Sequence, residues 1–114
     1  MESRAQGREA RRFRRAAVAR RVEFFDDGRP VTARAREISG GGVFVETDRP
    51  LPEGRFLTLR LDLADAGRPL TILGRVVRTV RGSLSGRKVP GMGIEFVDIR
   101  YQDRQRLLDC VGAR

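Results

Sequence analysis

The sequence contains no histidine, no tryptophan and a single cysteine, Cys110. The Cys/His ligand sets of zinc sites and the Cys–His pairs of nucleophilic catalysis are therefore absent. One cysteine also excludes an intrachain disulfide, which favours the cytosol. The neighbours Leu107, Leu108 and Val111 indicate that Cys110 is a structural thiol on a helix. The acidic residues are scattered, so we predict a protein that is not an enzyme.

Long hydrophobic runs are also missing. The apolar runs are only a few residues long, far short of the ~20 residues that a membrane-spanning helix needs. The N-terminus lacks the apolar stretch of a signal peptide. Neither a Walker loop nor a G-x-G-x-x-G fingerprint is present. We therefore expect a cytoplasmic protein with no membrane insertion and no cofactor.

Arginine, in contrast, is abundant. The chain has 24 basic and 15 acidic residues, a net charge of +9, and Lys88 is the only lysine. Residues 1–21 hold eight arginines against Glu2 and Glu9. Guanidinium groups form forked bonds to phosphate, so a localised basic arm indicates an anion site. GC-rich coding is the simpler explanation for most of the excess.

The length of 114 residues suits one domain. We expect a flexible basic arm over residues 1–10 and one domain over residues 11–112. A period-two pattern begins at Val18 and continues through most of the chain. It predicts six strands, over residues 18–25, 31–38, 43–47, 56–63, 70–80 and 91–97.

The fourth predicted strand has leucine at every second position, which is typical of a half-buried antiparallel strand. Gly74, in the middle of the fifth, predicts a bend or bulge. A helix is expected over residues 99–111, capped by Asp98, with Tyr101, Leu108 and Val111 on one face and Leu107 beside them. The pattern predicts an all-β fold, a six-stranded antiparallel barrel with a C-terminal helix as a lid.

Two short motifs flank the first two strands. Arg11-Arg12-Phe13-Arg14-Arg15 precedes the first strand, and Glu37-Ile38-Ser39-Gly40-Gly41-Gly42 follows the second. Taken alone, the first is typical of a solvated charged segment and the second of a flexible turn. Their order, and the strands after them, make the pair more specific.

In this order the motifs resemble those of the PilZ family. Its R-x-x-x-R motif is matched by Arg11 and Arg15, and its [D/N]-x-S-x-x-G motif by Ser39 and Gly42. The Gly-Val-Phe-Val and Pro-Gly-Met-Gly-Ile-Glu-Phe segments also look like the family, in particular its myxobacterial members. The resemblance covers roughly residues 8–112. It implies a PilZ-like barrel and a non-enzymatic receptor that relays the level of cyclic di-GMP to an unknown bacterial effector protein.

The resemblance also implies roles for both motifs. Arg11 and Arg15 would hold a base edge and the phosphates, with Arg12 or Arg14 in support. The chemistry agrees, because a guanidinium bonds guanine O6 and N7 bidentately. Ligand binding would leave the chain a monomer or a ligand-linked dimer.

In the second motif, Ser39 would offer a hydroxyl, and Gly40, Gly41 and Gly42 would let backbone N–H groups approach an anion. Glu37 departs from the family pattern, which has Asp or Asn to accept from guanine N1 and N2. Glutamate moves the carboxylate outward by one methylene. Either the site adapts to this, or Glu37 pairs with an arginine of the first motif and blocks the ligand.

Two alternatives follow from these features. Glu37 favours a PilZ-like adaptor that has lost the ligand and works only through protein contacts. The basic arm favours a nucleic-acid-binding barrel. Tyr101 is the only tyrosine and tryptophan is absent, so a base-stacking platform is poorly supplied and nucleic acid is the less favoured partner.

Overall fold

The computed structural model describes residues 20–63, 67–82, 85–86 and 88–111. Within these ranges the six strands and one helix are β1 (Arg20–Asp26), β2 (Arg29–Ile38), β3 (Gly42–Glu46), β4 (Phe56–Leu61), β5 (Leu70–Val80), β6 (Gly91–Ile99) and α1 (Tyr101–Val111). All neighbouring strands are antiparallel and close a barrel in the order β1-β2-β3-β6-β5-β4. The predicted barrel with a C-terminal helix is confirmed. The arm predicted over residues 1–10 lies outside the described residues.

Inward and outward side chains alternate along the strands, and the inward ones form the core of the barrel. In β4, Leu57, Leu59 and Leu61 are buried while the residues between them are exposed, so the leucine-rich strand is confirmed. The same alternation buries Val22 and Phe24 of β1. Each such side chain, fully buried, contributes roughly 1.5–3 kcal/mol to stability.

The β1–β2 hairpin has a two-residue turn. Asp27 and Gly28 have φ angles of 52° and 80°. Positive φ at both central positions is the signature of a type I′ turn, whose twist matches that of the flanking strands. This turn fixes the pairing of Asp26 with Arg29 and so the register of the hairpin.

Three irregularities change the outward face of the barrel. Arg36 is an extra residue in β2, Val77 is extra in β5 and Val97 is extra in β6 opposite the Leu73–Gly74 step. A β-carbon on Gly74 would lie 2.5 Å from a methyl of Ile94. The register shift at Gly74 confirms the irregularity expected there. Each of the three bulges turns two consecutive residues towards solvent.

The helix begins later than expected. Asp98 lies within β6 and pairs with β5, so its prediction as the helix cap is wrong. The strand continues to Ile99 because its backbone is still paired there. Tyr101 is consequently 74% exposed, and the buried residues of α1 are Leu107 and Val111.

Cys110 also lies on α1. It is a free thiol, partly buried and packed against the core, which confirms the structural role expected from its apolar neighbours. Among the described residues, no helix has the length and apolar character needed to cross a bilayer.

Candidate ligand site

The loop between β2 and β3 forms a tight turn. The amide of Ser39 donates to the carbonyl of Gly42 at 2.9 Å, and the Ser39 hydroxyl accepts from the Gly41 amide at 3.2 Å. The amide of Phe96 donates to the Gly41 carbonyl at 2.9 Å, which joins the turn to β6. The hydroxyl proton of Ser39 has only a long contact, 3.5 Å, to the Gly42 carbonyl. The Ser39 hydroxyl is thus fixed, exposed and able to donate.

The three glycines of this loop have different surroundings. A β-carbon on Gly42 would lie 2.5 Å from the carbonyl oxygen of Ile94, so only glycine fits there. One on Gly40 would lie 2.8 Å from the Leu108 side chain, whereas Gly41 has open space around it. Gly42 is therefore required by the close approach of β6, and Gly41 leaves the backbone accessible.

Helix α1 packs directly on this loop. In addition to the Leu108 contact, the guanidinium of Arg104 donates to the carbonyl of Gly40 at 3.4 Å. The predicted lid helix thus contacts the second motif itself.

Glu37 projects outward at the β2 bulge. Its carboxylate is exposed, and no described residue forms an ion pair with it. The adjacent Arg36 binds Glu46 instead, at 2.9 Å. The alternative pairing with Arg11 or Arg15 involves residues outside those described.

Of the predicted site residues, the structure therefore describes Glu37 near the end of β2, Ser39, Gly40 and Gly41 in the loop, and Gly42 at the start of β3. The four arginines of the first motif, Arg11, Arg12, Arg14 and Arg15, lie outside the described residues. β1 begins at Arg20, which pairs with Ala35, two residues before Glu37.

A row of outward residues crosses four neighbouring strands at the level of Glu37. Glu37 pairs with Phe44, Phe44 with Gly93, and Gly93 with Arg78. Strands lie ~4.8 Å apart, so the row spans about 14 Å. The Arg78 guanidinium lies 5.8 Å from the centre of the Phe44 ring, a cation–π distance. Gly93 has no side chain to separate the two.

This row lies in an open pocket of about 570 Å³. Its lining includes Arg36, Glu37, Phe44, Arg78, Arg81 and Lys88. Arg36 is paired with Glu46, so Arg78, Arg81 and Lys88 stand against the single carboxylate of Glu37, and the pocket is net positive. This suits an anion that also carries hydrogen-bond donors, from which the carboxylate can accept. Ser39 lies two residues beyond Glu37, outside this lining.

Sequence reasoning missed Phe44, Arg78, Arg81 and Lys88 as candidate site residues. Arg78 and Phe44 are far apart in the chain and meet only because β6 lies between β3 and β5. The glycine pattern of Gly91-Met92-Gly93 was the available signal, because a β-carbon on Gly91 would lie 2.7 Å from the Phe44 ring. Gly91 therefore lies directly against the aromatic ring, and a β-carbon on Gly93 would lie 3.6 Å from Arg78.

Comparisons with known proteins agree with this architecture. The family model for the PilZ domain matches residues 9–113. The solved structure of the Bacillus subtilis inhibitor of motility, MotI/DgrA, superposes with a TM-score of 0.71 at 22% identity, covering 85% of this chain and 47% of that one.

This chain thus spans about half the length of MotI/DgrA, and the likeness shows a shared fold. No curated protein sequence matches the chain. The family model, however, covers nearly all of the sequence, including both motifs. The chain belongs to the PilZ domain family, a family of cyclic di-GMP receptors and adaptors.

Proposed function

We propose that this chain is a non-enzymatic cyclic di-GMP receptor domain that relays the level of this messenger to a partner protein. The observation that carries the proposal is the exposed Glu37 carboxylate within an otherwise cationic pocket, next to the Ser39 turn. Guanine combines N–H donors with the O6 and N7 acceptors, and each linking phosphate is an anion. One carboxylate among several guanidinium groups matches all of these groups.

Each described residue has a proposed role in this site. Glu37 accepts from guanine N1 and N2, and Ser39 donates its hydroxyl to a base or phosphate. Gly41 lets an anion approach the backbone closely, since nothing lies within 4 Å of its β-carbon position. Arg78, held over Phe44, offers a flat cationic surface on which a purine stacks.

Arg11 and Arg15 would complete the site. Arg15 is five residues before Arg20, and an extended chain reaches up to ~17 Å over that distance. Since Arg20 pairs with Ala35, this reach includes Glu37 and the Ser39 turn. Arg12 and Arg14 are further from Arg20 along the chain, so an extended segment carries them at least as far, and they would support the phosphates.

Helix α1 supplies a route from ligand to partner. Leu108 and Arg104 contact Gly40, so a ligand that moves the Ser39 turn also moves the surface of α1. We propose that the partner reads this surface in the cytosol, the compartment that fits a chain with one free thiol.

A second candidate function is an adaptor that no longer binds the ligand. Glu37 favours it, because the family has Asp or Asn at this position. The Bacillus subtilis protein that shares the fold is an inhibitor of motility, which makes motility a candidate process for either function.

Isothermal titration calorimetry distinguishes the ligand-binding receptor from the adaptor that has lost the ligand. The receptor should bind cyclic di-GMP in preference to cyclic di-AMP, because Glu37 accepts from guanine N1 and N2 donors that adenine lacks. It should also bind cyclic di-GMP in preference to GTP and GMP, because these offer one guanine where cyclic di-GMP offers two. No heat and no thermal shift at high micromolar cyclic di-GMP would reject the receptor in favour of the adaptor.

A further inference from the structure

Five large apolar side chains are exposed on one side of the barrel. They belong to β1, β4, β5 and β6, and their exposed fractions are 45% for Phe25, 57% for Phe56, 38% for Leu73, 48% for Val77 and 48% for Val97. We call these five residues the apolar belt. Contiguous exposed apolar surface on a small domain marks an interaction site.

The strand register places the belt residues at nearby outward positions on neighbouring strands, with Thr58 and Arg75 between them. Phe24 pairs with Leu59, so the next outward residue, Phe25, lies beside Thr58. Thr58 in turn pairs with Leu73 on β5. One outward row therefore joins β1 to β5.

The remaining members flank this row. Phe56 pairs with Arg75, which lies between Leu73 and Val77 along β5. Val97 is the extra residue of β6 at the Leu73 step. Two of the belt residues, Val77 and Val97, are thus bulge residues that the irregular register leaves facing solvent.

The charges around the belt compensate one another. Two ion pairs lie at the belt: Arg55 with Asp27 at 3.9 Å and Arg75 with Glu95 at 3.2 Å. Elsewhere the molecule is cationic, with a net charge of +9 for the chain and a positive pocket around Glu37. The belt is therefore an electrically balanced surface on a strongly basic protein.

We propose that the apolar belt is an interface with a second copy of this chain. Two copies with the same positive charge repel each other across their cationic faces, whereas the belt combines apolar surface with balanced charge. A two-fold axis places the same patch on both copies, so Arg75 and Glu95 of one can face Glu95 and Arg75 of the other. An acidic partner protein would bind more favourably at the cationic pocket than at the belt.

This dimer leaves the motif loop of each copy open. In the closed order β1-β2-β3-β6-β5-β4, β4 is three strands from β3 in either direction, so Phe56 on β4 lies on the opposite side of the barrel from the β2–β3 loop. On β5 the belt reaches the edge of the pocket, because Val77 directly precedes Arg78 and both face solvent. The dimer would form without ligand, so it does not depend on what the pocket binds.

Sedimentation equilibrium of the full chain without ligand, from low to high micromolar concentration, tests the proposal. The mass should rise from 12.8 kDa towards twice that value. The dimer should persist in high salt, because salt screens charge but does not weaken apolar contacts. Phe56→Arg and Leu73→Arg should each weaken association about tenfold or more. Both residues are exposed, so an unchanged thermal midpoint should show intact folding.

The matched control is Tyr101→Arg, which introduces the same charge at an apolar side chain that is more exposed but lies outside the belt. It should dimerise as the unmodified chain does. A monomer at every concentration would overturn the proposal and indicate that the belt binds a different protein. Equal effects of Tyr101→Arg and the belt variants, or no effect of any, would overturn it too.

Discussion

At the scale of single residues, Glu37 and Gly42 carry the most information. Glu37 departs from the family motif, yet among the described residues nothing neutralises its carboxylate. Gly42 fits the motif because the β6 backbone leaves no room for a side chain. In the proposed site the first residue would decide whether guanine is accepted, and the second holds the loop against the barrel.

Glu37→Ala should weaken cyclic di-GMP binding by about ten- to a hundredfold, because a lost hydrogen bond to a charged group costs ~1–3 kcal/mol. Glu37→Asp should leave affinity similar or improve it. Calorimetry measures both, with Asp48→Ala as a control that removes an exposed carboxylate outside the pocket lining. If Glu37→Ala instead tightens binding, Glu37 closes the site by holding an arginine.

Gly42→Ala should destabilise the fold by roughly 1–3 kcal/mol, since the β-carbon would lie 2.5 Å from a backbone oxygen. Gly41→Ala should change stability by less than about 1 kcal/mol, because its position is open and a small gain from the unfolded chain is expected. Urea unfolding compares the two variants. Similar losses would show that the glycine-rich turn is not held by β6.

At the scale of elements, the pocket depends on how strands β2, β3, β6 and β5 are aligned. Period-two alternation predicted the strands, and the motif predicted the loop, because both are local in sequence. The row from Glu37 to Arg78 could not be predicted from the sequence, because it depends on β6 lying between β3 and β5 and on two bulges. The helix cap at Asp98 failed for the same reason: pairing with β5 extended the strand.

Arg78→Ala should weaken cyclic di-GMP binding about tenfold, because stacking of a base on a flat side chain contributes ~1–3 kcal/mol. Arg60→Ala is the matched control, since Arg60 is an exposed arginine on β4, outside the pocket lining. Fluorescence titration with a labelled ligand measures both affinities. Equal affinities for the two variants would remove Arg78 from the site.

At the scale of the whole molecule, the barrel has two different sides. The β2–β3 side carries the motif loop and borders the cationic pocket, while the β4–β5 side carries the apolar belt with balanced charge. Composition indicated a basic protein, but only the closed strand order shows that β4 lies opposite the β2–β3 loop. The belt and the pocket meet on β5, where Val77 directly precedes Arg78.

Arg15→Ala should reduce cyclic di-GMP affinity more than Arg4→Ala. Arg15 belongs to the R-x-x-x-R motif and has the reach to meet Glu37 and Ser39, whereas Arg4 contributes only screened charge. Calorimetry at physiological salt compares the variants. Equal losses would indicate that the N-terminal arginines bind as a diffuse polycation, as a nucleic-acid binder would.

The central claim is that cyclic di-GMP binds this pocket, and NMR titration of the isotopically labelled chain tests it most directly. The amides of Glu37, Ser39, Gly41, Phe44 and Arg78 should shift on addition of cyclic di-GMP and remain in place with cyclic di-AMP. The amides of Phe25 and Phe56, on the far side of the barrel from the β2–β3 loop, should stay unchanged. Absence of shifts, or shifts confined to residues away from the Glu37–Arg78 row, would contradict the claim.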